Sequence, residues 1–305
     1  MADTKGRRIV RESRGDRITL YIFYIVLAFI GIITIYPIIY VISASFSEPT
    51  AVNNGSVVLW PVGFHLDGYK YIFDNDWILL GYRNSLFYTV VGTALDLAVT
   101  FLAAYALSRK DLFGRSFFNT YMIIPMWFSG GLIPTFLMVN RYGLVDKWYT
   151  LIIIGAFNTY NFIICRTFIQ TSIPNELQEA AKIDGCSDFG TMFKVVLPLS
   201  KPIIAILCLY YGLAHWNDYF TGLIYINTRS MQPLQLFLRE ILIQNAQLDM
   251  DGGDMLALED SVRRVYMLQV MRYGLIVVSS VPMLILYPFV QKYFVQGVMI
   301  GALKG

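Results

Sequence analysis

Cysteine, histidine and charge are all scarce in this chain. Three Cys among 305 residues (Cys165, Cys186, Cys208) are too few and too scattered for a disulfide framework or a thiolate metal site. The two His, His65 and His215, stand far apart and suggest no zinc pair, so both residue types read as packed thiols and isolated imidazoles. Charged residues make up 15%, against about 25% in an average soluble domain, and a net charge of +3 argues for no nucleic acid or other polyanionic partner. No GxxxxGK[ST] phosphate loop, GxGxxG or HExxH occurs, so no catalytic or metal site is expected. Low-complexity tracts and internal repeats of 20–50 residues are missing too. What is plentiful is apolar: 56% of residues, with 21 Phe, 21 Tyr and a mean hydropathy of +0.54. That composition predicts an all-α integral membrane protein.

A hydrocarbon core about 30 Å thick needs roughly 20 apolar residues of helix. Six stretches are expected to span it: 18–44, 86–107, 117–139, 148–165, 202–226 and 273–294. The fourth is the shortest, and Asn158 and Asn161 soften its limits. In the third, Gly130, Gly131, Pro125 and Pro134 loosen the helix, and close packing is favoured over a hinge as their reason. The first is too long for the apolar part of a signal peptide and has no compelling cleavage site, so a retained helix is expected.

Lys and Arg set the orientation. With the N-terminus inside, the leader 1–17 holds six, the 108–116 loop three (Arg109, Lys110, Arg115), the segment 166–201 four, and the tail two (Lys292, Lys304). The remaining nine fall outside, in more residues. Both termini are therefore expected in the cytoplasm, with the basic leader against an anionic inner leaflet. The expected outer segments are 47–83, which includes DNDWILLGY, and 227–271, which pairs a helix over 234–245 with an acidic turn, DMDGGD, at 249–254 and a polar run to Arg272.

The inner segment 171–202, TSIPNELQEAAKIDGCSDFGTMFKVVLPLSKP, is too polar to span and too patterned for a connector. Pro174 suits a first helical turn, with Glu176 favouring the N-terminal dipole. Leu177, Ala180 and Ala181 share a face, and Gly185 suits a left-handed terminator. Ser187 and Asp188 can cap a second helix through Phe193 and Val196 that stops before Pro198. Two short helices at an angle make a knob, and small residues at its surface imply a closely packed partner.

These residues resemble a known pattern. EAAxxxG, nine residues, then IxLP is the cytoplasmic signature of permease subunits of ATP-binding-cassette importers. It reads here as Glu179, Ala180, Ala181 and Gly185, then Val195 in the Ile position, then Leu197 and Pro198. NSLFYTVVGTALDLAVTFLAAYALSR (84–109), HWNDYF (215–220) and YPFVQKYFVQGVMIGALKG (287–305) are similar to further parts of the carbohydrate-importer permeases, most of all the MalG-type, LplC-like group.

The resemblance implies a type I importer (MetI-like) permease fold, with 84–294 as the importer transmembrane domain and a coupling helix within 174–198. It implies as partners a second, different permease subunit, a cytoplasmic ATPase dimer that binds the ATP, an extracellular solute-binding lipoprotein, and a carbohydrate substrate. Glu179 would contact the ATPase cleft, Ala180 and Ala181 allow close approach, Gly185 give the bend, and Leu197 and Pro198 turn the chain back. The 227–271 loop would meet the binding protein, and the tail 296–305 would reach the ATPases.

Sugar sites favour aromatic faces for the ring and amides for the hydroxyls. Asn158, Tyr160, Asn161, Trp216, Asn217 and Asp218 therefore stand as candidate path residues, with interhelical packing as the plainer account. Asp96 and Asp218, ionisable groups within spans, are functional candidates by default. A polar clamp between helices explains Asp96 as well as sugar contact does. The rival function is a proton-coupled secondary transporter using Asp96 and Asp218. The absence of a repeat counts against it, and it leaves the knob unexplained. A membrane-embedded enzyme lacks the clustered acids and imidazoles it needs.

Overall fold

The computed structural model describes residues 14–250 and 258–302, and all regular structure in them is helical. In chain order the helices are α1 (Arg14–Ser45), α2 (Pro49–Asn53), α3 (Asp67–Phe73), α4 (Asp76–Ser108), α5 (Arg115–Trp127), α6 (Leu132–Arg141), α7 (Thr150–Ile153) and α8 (Thr159–Ser172). Then follow α9 (Asn175–Ile183), α10 (Asp188–Thr191), a π-helical turn (Met192–Val196), α11 (Leu197–Leu199), α12 (Lys201–Asn217), α13 (Phe220–Tyr225), α14 (Leu234–Met250) and α15 (Leu258–Ala302).

Among the described residues three helices are long and apolar enough to cross a membrane alone: α1, α4 and the 268–288 part of α15. Two bent pairs raise the number to five. The remaining expected span is α8, whose 14 residues rise only about 21 Å.

Each departure from the expected spans has a local cause. The second span starts ten residues early because Asn75 caps α4, its Oδ1 accepting from the amides of Trp77 (3.1 Å) and Ile78 (3.3 Å). DNDWILLGY thus belongs largely to α4. The third is not one helix: α5 and α6 meet at 116°. Gly131 has φ +83° and a Cβ there would touch nothing, so backbone freedom and not the expected close packing explains the glycine. In the fourth, Asn158 caps α8, accepting from Asn161 N at 3.1 Å, so the helix begins at Thr159 and runs to Ser172 at the knob end. The fifth breaks at Asp218 between α12 and α13. The sixth lies within the 45-residue α15, so the expected polar run before Arg272 is helical from Leu258 and the tail is helical through Ala302. Arg14 to Arg17 join α1 rather than the leader. The leader 1–13, residues 251–254 of the acidic turn and 303–305 lie outside the described residues.

Among the described residues two larger apolar cores and a smaller one around Tyr88, Leu151, Ile152 and Ile226 hold the bundle. At the knob end, Phe101, Tyr105, Phe162, Ile169, Met192, Val196, Leu207 and Tyr211 join α4, α8, the π-turn and α12. At the other end, Ile72, Ile78, Trp216, Leu234, Met271 and Leu275 join α3, α4, α12, α14 and α15. The connection before α14 is stapled to α4. Asn84 Nδ2 donates to the carbonyls of Ser230 (2.8 Å) and Gln232 (3.0 Å), Tyr88 Oη to Met231 O (2.8 Å), and Ser85 Oγ accepts from Leu234 N (2.8 Å). Asp146 ties the loop after α6 to the same region, accepting from Asn227 N and Thr228 N at 2.9 and 2.8 Å and from Thr228 Oγ1 at 2.6 Å. These bonds hold its carboxyl below the usual carboxylate range.

Candidate coupling surface and translocation cavity

The knob is built as two short helical pieces around Gly185. Pro174 is the N-cap residue of α9 rather than its first turn. Gly185 has φ +78° with open space around it, so the left-handed backbone is what requires glycine. Ser187 Oγ then accepts from Gly190 N at 3.1 Å and starts α10. The expected stop before Pro198 does not occur. The π-turn over Met192–Val196 absorbs an extra residue, and Pro198 sits in the first turn of α11. The sharp turn falls instead at Ser200, where the 188–199 run meets α12 at 81°. Ser200 is fully buried, its Oγ donating to Val196 O at 2.8 Å.

The two alanines have separate roles. Ala181 is buried against the knob's own core, whereas Ala180 is exposed beside Glu179. Leu177, Ile183, Phe189 and Phe193 are also exposed, Ile183 at 86%. Val195 and Leu197 are half-buried and Pro198 is exposed. The knob thus presents apolar side chains around a carboxylate that makes no ion pair among the described residues.

A charge cluster fastens this knob to the end of α4, a feature the sequence reading missed because its members are far apart in the chain. Arg109 grips Asp111 with two bonds (Nε–Oδ1 3.0 Å, Nη2–Oδ2 2.8 Å), approaches Asp188 Oδ1 at 3.1 Å and donates to Tyr105 Oη at 3.1 Å. Lys182 Nζ reaches Asp111 Oδ2 at 2.6 Å, and Tyr105 Oη donates to Asp188 O at 3.1 Å. The Arg109 and Lys182 cations hold the Asp111 carboxyl far below the usual carboxylate range, and Asp111 raises Arg109 in turn. A depressed folded-state value means the pairing stabilises above the ordinary carboxylate range and is lost only as pH falls through the lowered value. Arg109→Leu is expected to loosen the knob by about 1 kcal/mol, since both acids are more than half exposed. Hydrogen exchange should then speed about fivefold at the amides of 188–192. Arg109→Lys should restore little of it, because the fork is lost. Unchanged exchange in Arg109→Leu counts against the fastening role.

The second site is a cavity of about 740 Å³ between α8 and α12. It gathers Asn158, Tyr160, Asn161, Asn217 and Asp218 of the six candidate path residues. Trp216 is not among them. It is 1% exposed in the core at the end away from the knob, its Nε1 donating to Ser279 O at 2.8 Å and its ring edge-on to Tyr82. Asn217 directly follows Trp216 on α12, and one step along a helix is enough to point them to different faces. Tyr210, Tyr211 and His215 line the cavity as well. They were legible in principle, because 211, 215 and 218 follow helical spacing.

His215 is no isolated imidazole: its Nε2 lies 2.8 Å from Asp96 Oδ2, a clamp between α12 and α4. Asp96 is 1% exposed, and its Oδ1 accepts no hydrogen bond among the described residues. Beside it, Thr100 Oγ1 and Tyr211 Oη share a bond of 2.6 Å. Gly92 leaves room for the imidazole; a Cβ at that position would stand 2.5 Å from His215 Nε2.

Known proteins resemble this chain along nearly its whole length. Protein YtcP of Bacillus subtilis (strain 168), a polygalacturonan/rhamnogalacturonan transport system permease, is 40% identical over 290 residues, covering 95% of this chain and 99% of the relative. Protein LplC of the same organism is 41% identical over 276 residues, covering 90% and 91%. A chain of a bacterial ABC transporter involved in the import of the acidic polysaccharide alginate superposes with a TM-score of 0.83 at 33% identity, covering 93% of this chain and 99% of that one. Residues 96–299, which take in the cavity, the knob and most of α15, match the binding-protein-dependent transport system inner membrane component, and the chain belongs to that family.

Proposed function

We propose that this chain is one of two permease subunits of an ATP-driven importer that carries an oligosaccharide from an extracellular binding protein across the bacterial plasma membrane. The observation that carries the reading is the knob: Glu179 and Ala180 stand exposed on α9, Gly185 makes the left-handed bend, and the helical run from Asp188 leads directly into the helix that lines the cavity. Glu179 meets a basic or polar group in the cleft of a cytoplasmic ATPase dimer. Leu177, Ala180 and Ile183 fill that cleft, while Ala181, Val195, Leu197 and Pro198 hold the shape of the knob. ATP is bound and hydrolysed by the partner. Both termini lie in the cytoplasm, consistent with the excess of Lys and Arg on the knob side.

The sugar passes the amides and rings of Asn158, Tyr160, Asn161 and Asn217, with Asp218 at the break between α12 and α13. Closure of the ATPase dimer moves the knob, and the cavity changes which side it opens to. The names of the relatives support carbohydrate as the cargo.

The test is a gentle detergent purification of the chain from its native membrane, with every companion identified. A second permease subunit and an ATPase are expected, along with sugar uptake that needs ATP. A homogeneous chain that moves solute in liposomes under a proton gradient alone overturns the reading in favour of a secondary transporter.

A further inference from the structure

The cavity has a one-sided charge. Its thirteen lining residues include two carboxylates, Asp96 and Asp218, one imidazole, three amides and three tyrosines, but neither Lys nor Arg. Asp96 is 1% exposed and bonds His215 through Oδ2, while its Oδ1 is left without a donor. Asp218 spends Oδ1 on the amide of Thr221 at 3.0 Å, at the start of α13. The Asp96 carboxyl shares a bond with the His215 imidazole, Asp218 adds a second carboxyl, and no Lys or Arg of the lining balances them. Unpaired buried carboxylate oxygens are costly unless a ligand donates to them, and a sugar hydroxyl is a donor, whereas a uronate carboxylate brings only acceptors.

We propose that Asp96 and Asp218 are specificity-determining residues that act as a charge filter: this half of the path takes sugar units that carry hydroxyls alone and disfavours units that carry a carboxylate. The proposal rests on the importer reading. It separates the cavity of this chain from the acidic polysaccharides named for two of its relatives. At about 6 Å and an effective dielectric constant of about 20, one carboxylate facing another lowers occupancy about a hundredfold.

The test uses the complete permease–ATPase complex purified without its binding protein, so that delivery does not decide the outcome. Equilibrium dialysis compares labelled trigalacturonate with its carboxyl-reduced trisaccharide. The reduced sugar is expected to bind at least about tenfold more tightly. Asp218→Asn keeps an acceptor for Thr221 N and removes the charge, and it should shrink that ratio to about threefold or less. Equal binding of the two sugars, tighter binding of trigalacturonate, binding of neither, or an unchanged ratio in Asp218→Asn overturns the filter. A chain that purifies without any ATPase fails at the earlier step and overturns the importer reading instead.

Discussion

Glu179→Lys is expected to abolish sugar-driven ATP hydrolysis while leaving the chain in the membrane at its normal level. The carboxylate is exposed on α9 and makes no ion pair among the described residues, so its removal costs the fold of this chain little. Under the proposed function its value lies in the contact with the ATPase. Losing one partner of a charge pair buried at an interface costs about 2–5 kcal/mol, and reversing its sign adds repulsion. A loss of at least about thirtyfold in stimulated ATPase activity follows, accompanied by less ATPase in the purified complex. Undiminished uptake in this variant would falsify the coupling role. Ala180→Glu, which also lies on the exposed side of α9, should mimic the defect; Ala181→Glu should instead destabilise the chain, because Ala181 faces its own core.

Gly92→Val is expected to break the clamp between α4 and α12. The smallest side chain already places a carbon 2.5 Å from His215 Nε2, so the imidazole must leave Asp96. Overpacking costs about 1–3 kcal/mol, and a hydrogen bond to a charged group about 1.5–3 kcal/mol more. Thermal unfolding in detergent should shift down by several degrees, and transport should fall with it. His215→Ala relieves the crowding but leaves Asp96 buried without a donor, so the double variant with Gly92→Val should recover only the overpacking part. A Gly92→Val chain that melts and transports like the original removes the clamp from the account.

The division between what could and could not be read from the sequence follows the range of the interactions. The bend of the knob was legible because its signals are local, a proline, a glycine and a serine cap within thirty residues; the expected shared face was not, since Ala181 turns inward while Leu177 and Ala180 stay exposed. Hydropathy also located the apolar segments well. It misplaced their ends where one side chain decides the matter, as Asn75 does for α4 and Asn158 for α8. A mean over twenty residues cannot register a single cap. The 116° break between α5 and α6 was visible as a Gly-Gly pair, yet glycine serves close packing and left-handed backbone equally, and the sequence does not say which. The Asp96–His215 pair and the Arg109 cluster join positions from different helices, so neither has a short motif.

The elbow at Ser200 has a mechanical consequence. Helix α12 extends 17 residues beyond it, an arm of about 25 Å, and the cavity residues of that helix lie near its far end. The short run from Asp188 to Leu199 forms the other arm, set at 81°. In such a bell-crank a tilt of about 10° at the pivot sweeps the tip by about 4 Å. If the knob moves as the proposed function requires, the sweep at the cavity is set by the length of α12 relative to the 188–199 arm.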